Sequence, residues 1–221
     1  MKKLRYISDH LLTSFRGHNH QRSDNEWYYF LHIPKTAGTT LRFILYDYFK
    51  QSEIYPNYYE LSINQRSKYY SWKKFDLQKD ELFHHGKRLL IGHFGWAVMR
   101  HYTDQKPFTL TFLRDPVKRV KSAIIYLRKR DRMYAGMSID EVIDKYLNKE
   151  GSLQARQLGY HPRRGIDETM KNLESLDFIG LSERFDESLD LCNKTFGWSL
   201  KAIIYNRGKV LFEERCAKHG I

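Results

Sequence analysis

Short apolar runs that pass directly into amphipathic stretches constrain this chain more than any other feature. YYFLHI (28–33) has the length and aromatic content of a buried strand, and TLRFILYDYFK (40–50) sets Leu41, Ile44, Leu45, Tyr48 and Phe49 along one helical stripe. RLLIGH (88–93) and FTLTFLR (108–114) read as a second and a third strand. DPVKRVKSAIIYLRKR follows, with Pro116 suited to a helix start and Val117, Val120, Ile124 and Leu127 on one face. SIDEVIDKYLN (138–148) opens with a capping box, Ser138 and Glu141. DFIGLS (177–182) reads as a fourth strand, and the helix after it runs through Phe185, Leu189, Cys192 and Phe196 to a stop at Gly197.

Strands separated by helices need crossover connections. The expected fold is therefore α/β, a mainly parallel sheet flanked by helices on both faces. Residues 51–87 and 128–176 are less regular, the second carrying the charged runs RKRDR and HPRRG. No repeat or linker divides the 221 residues, so the chain reads as a single domain over 1–221 with its core at about 27–197.

In open parallel sheets ligands bind beyond the carboxyl ends of the strands. Lys35, His93 and Arg114 all fall at such ends. The loop IPKTAGTT (33–40) links a strand to a helix start, where backbone N–H groups and the positive helix end suit a phosphate or sulfate. Gly38 lets the backbone approach closely, Lys35 supplies a charge, and Thr36, Thr39 and Thr40 offer hydroxyls. A Walker A loop requires G-x-x-x-x-G-K-[ST], but here the lysine precedes the glycine and no GK[ST] exists. An ordinary capped helix after a proline turn is the alternative. In LRDPVKRVKSAI (113–124), Arg114 leaves a strand end and Ser122 lies about two helical turns on, which suits a second phosphate. Asp115 is placed to cap that helix and orient Arg114. A solvated basic helix face is the plainer reading.

The formal charge of +12 calls for anionic partners, with simple solubility as the alternative. Lys73-Lys74, Arg128–Arg132 and Arg163-Arg164 either steer an acidic acceptor or form solvated faces, and the aromatic-rich stretch 55–75 either stacks on sugar rings or packs on the sheet. Cys192 falls on an apolar helix face and reads as a buried thiol; with Cys216 it forms no disulfide framework, and no ligand cluster supports structural zinc. No apolar run is long enough to cross a bilayer, and the N-terminal stretch lacks a signal-peptide core. A cytoplasmic location is expected, with a Golgi-lumen domain lacking its anchor as the alternative.

HIPKTAGTT followed by LRDPVKRVKS resembles the nucleotide-binding pair of sulfotransferases that use 3′-phosphoadenylyl sulfate (PAPS), specifically the heparan sulfate 2-O/6-O-sulfotransferase-like group, sulfotransferase family 2. IGHFGW (91–96), SLQARQLG (152–159) and FIGLSERFDESLDL (178–191) are similar to further family segments, so the likeness spans most of 27–197. It implies a P-loop-like sulfotransferase fold. Lys35, Thr36, Ala37, Gly38, Thr39 and Thr40 resemble the family's 5′-phosphosulfate site, Arg114 and Ser122 its 3′-phosphate clamp, and Ser182 a position near the adenine. The implied reaction moves a sulfuryl group to an acceptor hydroxyl, less readily an amine, and releases 3′,5′-bisphosphoadenosine (PAP) without a metal.

Among the ten histidines, His93 matches the family's general base, while a hydrogen-bonded strand-end histidine is the plainer role. His32 is expected to face the core or the neighbouring helix; His84 and His85 are reserves. The resemblance puts Arg156 against acceptor or cofactor, and an exposed helix arginine is the alternative. The acceptor is expected to be an acidic glycan or a small hydroxylated molecule, with nucleic acid not expected. Two other functions compete: a non-catalytic polyanion- or nucleotide-binding protein on the same fold, and a small-molecule P-loop kinase. The tail after Gly197, with NRGK at 206–209, departs from the family pattern and leaves part of the nucleotide pocket unassigned.

Overall fold

In the computed structural model, residues 26–56, 86–100, 106–130, 134, 136–150 and 152–202 are described. His84, His85, Lys73, Lys74, Arg132, Cys216 and the NRGK stretch lie outside them. Five strands form one sheet: β1 (Tyr28–Leu31), β2 (Ile54–Tyr55), β3 (Leu89–Gly92), β4 (Phe108–Leu113) and β5 (Phe178–Leu181). Their order is β2-β3-β1-β4-β5, and every pairing is parallel. The α-helices are α1 (Gly38–Tyr48), α2 (Pro116–Arg130), α3 (Ile139–Glu150), α4 (Leu153–Gln157), α5 (Asp167–Glu174) and α6 (Phe185–Phe196), and short 3-10 turns lie at Gln51–Glu53, Gly95–Arg100 and Ser182–Arg184. The expected parallel α/β sheet is therefore observed. Among the described residues no helix is long and apolar enough to cross a membrane.

Period-two alternation divides the strand side chains between two cores. Tyr28, Phe30, Leu89, Ile91, Leu110, Phe112 and Phe178 pack with Leu41, Ile44, Leu45 and Phe49, and with Leu189, Cys192 and Phe196 of α6. Tyr29, Leu31, Leu90 and Ile179 turn the other way, onto Phe94, Val98, Leu158, Leu173 and Leu176. Both faces are covered, which is why the strands read as unbroken apolar runs. Burial pushes the Cys192 thiol up, as an inert core cysteine requires.

Register sets the ends of β1 and β3 level, with β4 and β5 ending together two residues further on. Leu31 lies beside both Gly92 and Thr111, and Leu113 lies beside Leu181. The chain leaves β1 for β2 and β3 on one side, then crosses to β4 and β5 on the other. The change of direction falls about β1, where an α/β sheet opens its crevice.

Some boundaries and faces differ from expectation. β2 is only two residues long and has no apolar run to announce it. The charged stretch 128–176 is largely helical, holding the end of α2 and all of α3, α4 and α5. The capping box forms: Ser138 N–H donates to Glu141 Oε2 at 2.7 Å, and Glu141 N–H donates to Ser138 Oγ at 3.3 Å. α6 ends as expected, with Gly197 left-handed at φ 63°. Val117, however, is 61% exposed. The third core gathers Val120, Ala123, Ile124 and Leu127 with Val142 and Tyr146 of α3, so the covered face of α2 begins one turn after Val117.

Candidate active site

The loop between β1 and α1 carries unusual backbone. Lys35 (φ 70°) and Ala37 (φ 64°) are both left-handed without being glycine. Each such residue costs roughly 1–2 kcal/mol, so the rest of the loop must hold them there. Thr36 does part of that: it is fully buried, and its hydroxyl donates to the Ile33 carbonyl at 2.9 Å. That bond locks the turn from within. Thr39 is exposed and Thr40 half-buried. The first intrahelical bond of α1 runs from Leu41 N–H to the Ala37 carbonyl at 3.2 Å. The N–H groups of Gly38, Thr39 and Thr40 precede it, at the positive end of the helix.

The Lys35 ammonium stands 4.2 Å from the centroid of the Tyr126 ring on α2. Partial burial, and then the nearby Arg114 charge, hold the Lys35 pKa below the usual lysine range. A bound anion relieves both effects, since it compensates the two cations at once. Tyr126 lies one helical turn past Ser122, so this face of α2 looks toward the loop.

Arg114 is held by its own backbone. Gln154 of α4 accepts from Arg114 N–H and donates to the Arg114 carbonyl, each at 2.9 Å. The guanidinium donates from Nη1 to the Lys35 carbonyl at 3.3 Å and faces Glu183 at 3.8 Å. Orientation of Arg114 thus falls to Gln154 and Glu183, a correction to the role expected of Asp115. Asp115 does cap α2, accepting from Lys118 N–H at 2.9 Å. Ser182 Oγ donates to the Leu113 carbonyl at 2.9 Å, which fastens β5 to the end of β4.

His93 follows β3 directly. Its Nδ1 lies 2.7 Å from the His32 carbonyl, so Nδ1 carries the proton and donates, leaving Nε2 with the lone pair. Burial lowers the His93 pKa to about 4, against an opposing pull from that hydrogen bond; Arg42 lowers it further. The His32 and His93 rings are 4.3 Å apart, and the buried His32 ring also stacks on Phe30. Burial, then His93 and Arg42, hold His32 well below the ordinary range, so it is neutral.

Gly38 is the reason this fits. A Cβ there would lie 2.0 Å from His32 Cδ2. With Phe30 and His93 behind it, the ring cannot retreat. Gly38→Ala is therefore expected to destabilise by about 1–3 kcal/mol, lowering Tm by roughly 2–4 °C per kcal/mol. Thermal denaturation checks this, and an unchanged Tm would contradict the packing.

Lys35, His93 and Arg114 thus stand past β1, β3 and β4 on one edge of the sheet, with Ser182 past β5. Arg156 is exposed on α4 and lines a pocket beside this edge. No family model matches this chain. No curated protein matches it either. Tyr126 gave no signal in the sequence; Gln154 and Glu183 fall within the family-like segments SLQARQLG and FIGLSERFDESLDL, but only the pairing of strand ends with α4 and the 3-10 turn Ser182–Arg184 brings them to Arg114.

Proposed function

We propose that this chain is a sulfotransferase that moves a sulfuryl group from PAPS to an acceptor hydroxyl. One observation carries the reading. A lysine at a strained helix start, an arginine bonded to that lysine's carbonyl and a neutral histidine with Nε2 as acceptor share one sheet edge. The likeness of HIPKTAGTT and LRDPVKRVKS to PAPS-binding segments points the same way.

The chemistry follows from the groups present. The N–H groups opening α1 and the Lys35 ammonium face the 5′-phosphosulfate, while Arg114 and Ser122 take the 3′-phosphate. Lys35 neutralises charge that grows on the bridging phosphate oxygen as its bond to sulfur breaks. His93 Nε2 takes the acceptor proton as the new O–S bond forms, and PAP leaves. Like phosphoryl transfer, this is mostly positioning and electrostatic stabilisation.

Thermal shift separates this from its rivals. PAP at about 100-fold over its Kd should stabilise the chain by about 2.7 kcal/mol, a Tm rise of roughly 5–10 °C. AMP should do much less, because it leaves Arg114 and Ser122 without a phosphate. A response to ATP with Mg²⁺ but not to PAP would overturn the reading in favour of a kinase. Binding of PAP with no turnover on any acceptor would favour a non-catalytic nucleotide-binding protein.

A further inference from the structure

Packing does not account for Tyr126. It is 48% exposed, and α2 enters the third core through Val120, Ala123, Ile124 and Leu127 without it. Among the described residues it makes one ring or polar contact, with the Lys35 ammonium 4.2 Å from its centroid.

Lys35 is the other half of the contact. Its neighbour Arg114 faces the Glu183 carboxylate at 3.8 Å. Among the described residues the Lys35 ammonium has neither a carboxylate nor a hydrogen-bond acceptor, only the ring. The difference matters chemically. A carboxylate would neutralise the ammonium and occupy its N–H groups, and an incoming anion would have to displace it. An aromatic face attracts the cation through its quadrupole and leaves all three donors free. At the other end of the residue, the Lys35 carbonyl accepts from Arg114 Nη1 at 3.3 Å, and a left-handed φ of 70° sets the backbone there. Lys35 is thus held at its carbonyl and at its ammonium. Partial burial and the Arg114 charge favour the uncharged amine; the ring face opposes them.

We infer that Tyr126 is a positioning residue, seating the Lys35 ammonium at the anion loop so that the cation is in place, and not neutralised, before an anion arrives. Its effect on turnover rests on the proposed sulfuryl transfer; the seat itself does not. An unseated lysine stem samples several rotamers, and ordering it costs free energy at the moment when charge develops. A seated one has lost that freedom on folding. Removing the ring should therefore show more in the chemical step than in nucleotide affinity, because Arg114 and the N–H groups opening α1 still hold the phosphates. Tyr126 acts through Lys35 alone. Its aromatic face does the work, and its hydroxyl has no part in it.

The test compares Tyr126→Leu and Tyr126→Phe with the parent chain. In NMR spectra with isotope-labelled lysine, the Lys35 Cε protons, assigned by their loss in Lys35→Arg, should lie upfield through the Tyr126 ring current. They should move to the ordinary lysine position in Tyr126→Leu, return upfield in Tyr126→Phe, and stay upfield when pyrophosphate is added to the parent. Release of sulfate from saturating PAPS to water should slow about three- to tenfold in Tyr126→Leu, with calorimetric PAP affinity within about twofold, and Tyr126→Phe should recover the rate. Each variant's Tm should move by no more than about 2 °C, which separates the effect from lost folding. An ordinary Cε shift in the parent overturns the seat. An upfield shift that pyrophosphate abolishes also overturns the proposal, since the ammonium then leaves the ring when the anion arrives. So does an unchanged rate in Tyr126→Leu, or a PAP affinity that falls as far as the rate. If the parent neither binds PAP nor turns over PAPS, the sulfotransferase reading fails; Lys35 resonances that stay upfield in pyrophosphate would still uphold the seat.

Discussion

Replacing His93 with alanine is expected to lower turnover by roughly 10²–10⁴-fold while PAP affinity stays within about twofold. The donor groups belong to Lys35, Arg114 and α1, whereas the Nδ1 of His93 donates to the His32 carbonyl. Loss of the ring therefore removes the proton acceptor and spares the anion site. The pH profile supplies an independent readout. Burial first, and then Arg42, favour the neutral ring and place its pKa at about 4. The base form exists above that value and is lost as pH falls through it. The acid limb of kcat/KM should thus lie near pH 4 instead of the ordinary histidine value of about 6.5. A bound dianion stabilises the imidazolium, so the limb in kcat should lie higher than that in kcat/KM. Full turnover in His93→Ala, or the same acid limb in its residual activity, would remove His93 from the mechanism.

Lys35→Ala is expected to lower kcat by about 10²–10³-fold and to weaken PAP as well. The lysine's backbone is left-handed and its carbonyl is bonded to Arg114, so its stem leaves from a fixed point. Its charge is partly buried, beside another cation and against the Tyr126 ring. Such a cation gains most when negative charge develops next to it, which happens at the bridging oxygen as sulfur departs. Lys35→Arg should recover only part of the loss, because a planar fork does not replace a compact ammonium over a ring. Single-turnover rates with saturating PAPS, set beside calorimetric PAP affinities, will separate chemistry from binding. An unchanged kcat with weakened PAP would reduce Lys35 to ground-state binding.

Several parts of the site were legible before any fold was known, and for local reasons. A lysine, a histidine and an arginine each sit where an apolar run stops, and an apolar run of that length makes a strand. In a parallel sheet the carboxyl ends lie on one edge, so the three had to gather. His32 was expected to face the core or the neighbouring helix, and it does, against Gly38. A hydroxyl in a phosphate-like loop looks the same in sequence whether it serves a ligand or its own turn, and only the structure reveals the buried bond from Thr36 to Ile33.

The apolar periodicity, the proline and glycine punctuation and the places where the apolar runs stop by themselves determined a parallel α/β sheet with Lys35, His93 and Arg114 along one edge. The tertiary structure alone decided the strand order, the clasp between Arg114 and Gln154, the seat of Lys35 on Tyr126 and the pocket that Arg156 shares with Arg100 and Arg164. The physical reason is range. Period and capping act over a few residues and leave a mark in composition, whereas Gln154 meets Arg114 across forty residues through ordinary polar side chains that carry no periodic signal.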